Sequence, residues 1–102
     1  MKLCFLVNPY SGKNQSLKIF QSINPILNQK NLDFDFYQTE YKEHAIEIVK
    51  KIDINVYSAI IIIGGDGTFH EVVTGLMNRE DNQKLPIGII PGGSGNSFLY
   101  EI

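Results

Sequence analysis

AIIIIGGDGTFHEVVTGLM, residues 59–77, decides how this chain folds. Ile60, Ile61, Ile62 and Ile63 run on without a polar interruption, the pattern of a parallel strand buried on both faces. The run halts at Gly64, Gly65, Asp66 and Gly67. Glycines there remove Cβ atoms where the backbone turns sharply and let another group approach closely. From Phe69 onward Val72, Val73, Leu76 and Met77 follow at helical spacing, so a helix opens with unpaired N–H groups facing the glycine turn. Those donors, with the positive end of the helix dipole, favour a phosphate.

Working outward, apolar strand-like runs occupy residues 2–7, 34–38, 58–63 and 86–90. Two further helical patterns lie between them. One puts Leu17, Phe20, Ile23 and Leu27 on a single face, with Pro25 expected to kink or end it early. The other, about 42–52, turns Ala45, Ile46, Val49 and Ile52 inward and places Lys50 and Lys51 in its last turn, where cations suit the dipole. Strands alternating with helices in this way predict an α/β fold: an open parallel sheet with helices on both faces. Residues 78–84, NREDNQK, read as a solvated connecting loop. The closing PGGSGNSFLYEI reads as another strand, turn and incipient helix, and a domain seldom stops on an element it has barely begun. The expectation is therefore an incomplete domain.

With 102 residues the chain holds one small domain. Its formal net charge of -2 and its lone arginine, Arg79, give no basic stripe for nucleic acid. The single cysteine, Cys4, excludes an intramolecular disulfide and a cysteine-rich zinc site, and its place in the run KLCFLV reads as a buried strand position. The N-terminal apolar stretch is too short for a signal peptide, and no segment nears the ~20 apolar residues of a membrane span. The expected location is cytoplasmic, with peripheral contact at a membrane.

In an open parallel sheet, ligands bind beyond the carboxyl ends of the strands. The loops there are NPYSGKN, TEYKEH, GGDGTFHE and PGGSGNS, which load one rim with polar and small residues. A Walker-type loop is absent, because Gly12-Lys13 is followed by Asn14, and so is Gly-x-Gly-x-x-Gly. Asp66 is the sharpest residue. A carboxylate among phosphate-binding glycines repels the ligand unless a divalent metal or the proton of an attacking alcohol offsets it. The plainer alternative is that Asp66 caps the following helix, with Thr68 or Glu71 satisfying the other donors. His44 and His70 read as loop-orienting or surface residues rather than zinc ligands, and Glu71 as a first-turn acid or a support for a neighbouring loop.

These residues form an ordered set: Asn8-Pro9-x-Ser11-Gly12-Lys13, then Thr39-Glu40-x-x-x-His44-Ala45, then Gly64-Gly65-Asp66-Gly67-Thr68 with His70-Glu71-Val72-Val73 and Gly75-Leu76, then Pro91-Gly92-Gly93-Ser94-Gly95-Asn96. The set resembles the N-terminal, nucleotide-binding part of the catalytic domain of diacylglycerol and sphingosine kinases. The Gly-Gly-Asp-Gly core is shared with NAD kinases and phosphofructokinases, whereas the second motif and the His-Glu-Val-Val-x-Gly-Leu continuation look specific to lipid kinases.

The resemblance implies that Asn8, Pro9, Ser11, Gly12 and Lys13 line the phosphates of ATP and that Thr39 hydrogen-bonds them. Gly64, Gly65, Asp66, Gly67, Thr68 and Glu71 would form the main nucleotide loop, closed on its other side by Gly92, Gly93 and Ser94. Mg²⁺ would arrive with the nucleotide, with Asp66 its candidate ligand here. Asp66 is also the catalytic candidate by likeness to sphingosine kinases, whereas bacterial relatives place the base in a second, β-rich domain. The resemblance leaves both assignments open. It implies a kinase transferring the γ-phosphoryl group to a lipid alcohol, diacylglycerol or a sphingoid base, at a membrane surface. Residues 1–102 would be the nucleotide-binding subdomain, inactive by itself, with the β-rich domain absent. The alternatives are a truncated non-catalytic nucleotide-binding module, self-associating through an unfinished sheet edge, and a relative of NAD kinases.

Overall fold

The computed structural model describes residues 2–9, 15–91 and 98–100. The elements run β1 (Lys2–Val7), α1 (Ser16–Gln29), β2 (Asp33–Gln38), α2 (His44–Lys51), a 3-10 turn (Ile54–Val56), β3 (Ala59–Gly64), α3 (Asp66–Met77), β4 (Ile87–Pro91) and β5 (Phe98–Tyr100). Together the strands form one sheet in the order β2-β1-β3-β4-β5. β1 pairs in parallel with β2 and β3, and β3 with β4, so the open parallel α/β sheet expected from sequence is the one observed.

β3 shows why the isoleucine run is decisive. Ile60 and Ile62 point to the α2–α3 side, where they meet Cys4, Leu6, Ala45, Val49, Val72, Leu76 and Ile87. Ile63 points to the other side and joins Phe5, Val7, Phe20 and Leu27 of α1. Ile60, Ile62 and Ile63 are all fully buried. Each contributes about 1.5–3 kcal/mol by leaving water. On the α1 side Phe20 stacks on Phe36 with centroids 4.3 Å apart and meets Phe5 edge-on at 5.6 Å. Cys4 lies in the first core, and burial pushes its thiol up to about 12, which keeps it protonated and unreactive.

The structure corrects four expectations. α1 runs through Pro25 to Gln29. The proline ring and Gln21, whose carbonyl loses its partner, are both exposed, so water can satisfy that carbonyl. Residues 98–100 form a strand antiparallel to β4 in place of the expected helix, with Ile89 opposite Phe98 and Ile87 opposite Tyr100. Phe, Leu and Tyr suit a strand that an edge of the sheet stands ready to pair. The β4 edge is thereby covered, and β2 and β5 are left at the sheet margins. α3 starts at Asp66, three residues before the apolar repeat.

The loop after α3 is also more than a connector. Arg79 donates through Nη1 to the carbonyls of Val49 (2.7 Å) and Ile52 (3.0 Å), capping the end of α2. Its Nε and Nη2 grip both oxygens of Asp81 at 3.0 and 2.6 Å. Lys84 Nζ donates to the Leu76 carbonyl near the end of α3. Helix C-termini leave carbonyls without partners, and the cations of this loop supply donors to them.

Candidate functional site

Because the sheet is parallel, Val7, Gln38, Gly64 and Pro91 end their strands on one rim, with Val7 opposite both Gln38 and Ile63, and Gly64 opposite Pro91. The residues that follow them meet there. Asn8 continues the ladder by donating its N–H to the Ile63 carbonyl at 3.1 Å. Its side-chain amide donates to Thr68 Oγ1 at 3.1 Å, tying the first rim loop to the first turn of α3. Thr39 is buried at the end of β2, where its N–H (2.9 Å) and hydroxyl (3.4 Å) both donate to the Val7 carbonyl. Its hydroxyl retains lone pairs but has given its proton to the backbone, so it acts first as a wall of the rim.

Gly65 caps α3 in extended conformation, φ -117°, ψ -166°, without a side-chain capping bond, and its carbonyl accepts the first helical bond from Phe69. Asp66 is therefore the first residue of the helix and not its cap, and its side chain is exposed. Neither Thr68 nor Glu71 completes a capping box, since Thr68 accepts from Asn8 and Glu71 reaches elsewhere. A Cβ added at Gly65 or Gly67 would meet nothing within 4 Å. Among the described residues neither glycine serves internal packing or a left-handed turn, and both stand exposed at the start of α3.

Glu71 accepts from the Glu43 N–H at 3.2 Å. Glu43 is the N-cap of α2 and is left-handed, at φ 71°. His44 Nδ1 accepts from the Glu40 N–H at 2.9 Å, so His44 orients the loop, as the sequence suggests. Between these groups lies an open cleft of about 470 Å³ lined by Asn8, Thr39, Glu40, Tyr41, Lys42 and Glu71. That volume suits part of a small-molecule ligand. Tyr41 and Lys42 were missed by sequence reasoning; the available signal was an aromatic and a cation between Thr39 and His44 on a rim loop. A second depression, about 520 Å³, lies at the opposite ends of α2 and α3, where Lys50 and Lys51 stand among Glu47, Glu80 and Asp81 and Arg79 is already committed.

Ser11, Gly12, Lys13, Gly92, Gly93 and Ser94 lie outside the described residues. Asn8, Thr39, Gly64, Gly65, Asp66, Gly67, Thr68 and Glu71 do gather on the one rim, with Pro9 beside Asn8. Among the described residues no three His, Cys, Asp or Glu side chains converge as a metal site. Mg²⁺ held mainly by phosphates needs only one or two carboxylates, and the exposed Asp66 in the first turn of α3 fits that need. No helix among the described residues is long and apolar enough to cross a membrane.

The chain matches the family model of the diacylglycerol kinase catalytic domain over residues 2–102. It is 43% identical to sphingosine kinase 1 of Arabidopsis thaliana over 99% of its own length and 22% of that protein. It is 41% identical to sphingoid long chain base kinase 4 of Schizosaccharomyces pombe, over 92% of this chain and 21% of that one. A crystal structure of a diacylglycerol kinase from Bacillus anthracis superposes with a TM-score of 0.73 at 29% identity, over 91% of this chain and 33% of that chain. The chain thus spans about a fifth of these curated relatives and a third of the solved one.

Proposed function

The chain belongs to the diacylglycerol kinase catalytic domain family, and from that premise we propose that it is the ATP-holding part of a lipid kinase. The observation that carries the reading is the clear space above Gly65 and Gly67 at the start of α3, where a Cβ would touch nothing. The phosphates of ATP rest on the amides of residues 65–68, with Asn8 and Thr68 fixing the adjoining wall. By their family motifs Ser11, Gly12, Lys13, Gly92, Gly93 and Ser94 would bind the same phosphates. Bound Mg²⁺ would supply charge neutralisation between the phosphates. Asp66 is its candidate protein ligand or, alternatively, the acceptor of the proton of the attacking alcohol. Fixed amides and positioning supply most of the rate enhancement.

The acceptor is a lipid alcohol met at a membrane surface. The curated relatives at 43% and 41% identity are a sphingosine kinase and a sphingoid long chain base kinase, which supports a sphingoid base as the acceptor. Residues 1–102 act as the nucleotide-binding subdomain, and the lipid pocket belongs to a further, β-rich domain.

Calorimetry of the chain with MgATP tests the binding half of this reading, and γ-labelled ATP with sphingosine or diacylglycerol micelles tests transfer. Binding without transfer is expected of the chain alone. Absence of heat on folded protein refutes the reading, and labelled lipid from the chain alone refutes the need for another domain.

A further inference from the structure

Glu43 is a glutamate where the backbone suits a glycine. The His44 N–H donates to the Tyr41 carbonyl at 3.1 Å and closes a turn over residues 41–44, in which Glu43 holds φ 71°, ψ 4°. Among the described residues only Asn31, Glu43 and Asn82 take positive φ without being glycine, so Lys42 does not, and the turn is of type II. Such a turn favours glycine or asparagine at its third residue, because a Cβ there crowds the backbone. The Glu43 side chain does not offset this: it is exposed and makes no capping hydrogen bond to α2.

The relaxed alternative, type I, has negative φ at the same residue and differs chiefly in the Lys42–Glu43 peptide, which is turned over. That peptide is the one Glu71 holds. Glu71 Oε2 accepts from the Glu43 N–H at 3.2 Å, across 28 residues of sequence. Turned over, the peptide would point the Lys42 carbonyl at that carboxylate, and two acceptors repel. A charge-assisted hydrogen bond and the strain of one left-handed residue are of the same order, so this one contact can decide the form of the turn.

Resting on the nucleotide reading above, we propose that Glu71 is a positioning residue that acts on the site through Glu43 and not by touching the nucleotide. Its carboxylate fixes the Lys42–Glu43 peptide in the strained form, and with it the wall that Glu40, Tyr41 and Lys42 give to the cleft. The loop begins at Thr39, which the family motif assigns to the phosphates, so the form of the turn sets the affinity.

Two readouts on the full chain test this: nuclear Overhauser contacts of the Glu43 amide proton, and calorimetry with MgATP. In the strained turn that proton lies against Lys42 Hα, and in the relaxed turn against the Lys42 amide proton. Wild type should show the first contact. Glu71→Ala should show the second and bind MgATP about tenfold more weakly, since the strain of one left-handed residue shifts a two-state ratio about 5–30-fold. Adding Glu43→Gly to Glu71→Ala removes the strain and should restore both the first contact and most of the affinity. A direct contact to nucleotide could not be rescued in this way, because glycine brings no group to replace the carboxylate. A Glu71→Ala variant that keeps the Lys42 Hα contact overturns the proposal. So does a double variant that regains the contact without the affinity, which assigns Glu71 to the ligand. In both cases the nucleotide site stands. If wild type gives no heat with MgATP, the nucleotide reading itself fails and the proposal falls with it. Should Glu71→Ala unfold by circular dichroism, a Lys42 amide contact in wild type still overturns the proposal.

Discussion

Two glycines of α3 should respond to the same substitution in opposite ways. At Gly75 an added Cβ would stand 2.9 Å from Val49 Cβ, 3.0 Å from the Ile46 carbonyl oxygen and 3.1 Å from Val49 Cγ1. Two of those atoms are fixed by the backbone of α2, so no rotamer change relieves the contact and the helices must part by several tenths of an ångström. Overpacking of this kind costs about 1–3 kcal/mol, against a helix-propensity gain of about 1 kcal/mol for Gly→Ala. Gly75→Ala should therefore lose up to about 2 kcal/mol net, which lowers Tm by up to roughly 16 °C in a domain of this size. At Gly67 the added methyl meets nothing, so Gly67→Ala should gain up to about 1 kcal/mol. That methyl would occupy the space assigned to phosphate, and MgATP affinity should drop about tenfold or more, ~1.4 kcal/mol. Urea denaturation followed by circular dichroism, beside calorimetry with MgATP, reads both effects. A Gly75→Ala variant that gains stability as Gly67→Ala does would refute the packing argument, and undiminished MgATP affinity in Gly67→Ala would refute the site.

Arg79→Leu should destabilise the chain by about 1–3 kcal/mol, since the carbonyls of Val49 and Ile52 lose a charged donor, and Arg79→Lys should not restore it; chemical denaturation of both variants checks this. The Arg79 guanidinium and the Gln83 N–H hold Asp81 down to about 2. A carboxyl depressed in the folded state stabilises fully above its unfolded value, near 4, and loses that contribution as pH falls toward 2. In a stability-versus-pH series Arg79→Leu should accordingly flatten part of the acid limb between about pH 4 and 2. Glu71→Gln keeps an acceptor for the Glu43 N–H and should hold MgATP affinity near wild type, whereas Glu71→Ala should weaken it; equal losses in both would show that the charge itself matters. His44→Asn, which keeps an acceptor near Nδ1, should preserve the loop better than His44→Leu, read by hydrogen exchange of the Glu40 amide.

How much of this was legible in sequence follows from which interactions are local. The strands and their faces were readable because burial on both sides demands an unbroken apolar run, and Ile60, Ile62 and Ile63 satisfy it directly. The start of α3 was misjudged by three residues because Asp66, Gly67 and Thr68 carry no apolar repeat, and two of them are poor helix formers. Their helicity is imposed by the packing of the turns that follow. β5 was invisible because its conformation depends on the edge of β4. Arg79 was read as solvated because its partners, Val49 and Ile52, lie at the end of α2, 30 and 27 residues away in sequence. The rim motifs were legible as a set, but that Tyr41 and Lys42 line one cleft with Asn8 and Glu71 shows only in the fold.

The same non-local contacts explain how a chain with so few polar interactions in its core holds a rim in register. Glu71 and Gly75 lie on the side of α3 that faces α2, and Arg79, two residues beyond the end of the helix, continues the same spacing of four. At the N-terminus of α2 the stripe presents a carboxylate to the Glu43 N–H, and at the C-terminus a guanidinium to the carbonyls of Val49 and Ile52. Both charges suit the dipole of α2. Between them stands a residue with no side chain, which lets the two helices close to contact. Fixed at both ends and in the middle, α2 cannot slide or tilt along α3 without breaking a charged hydrogen bond. The loop that carries Thr39, Glu40 and Tyr41 runs straight into α2, and the turn that carries Gly65 and Asp66 runs straight into α3. The width of the cleft between the first of these loops and Glu71 of α3 is thus set by helix packing on the side of the sheet away from α1, and the stripe that stabilises the fold also holds that cleft open.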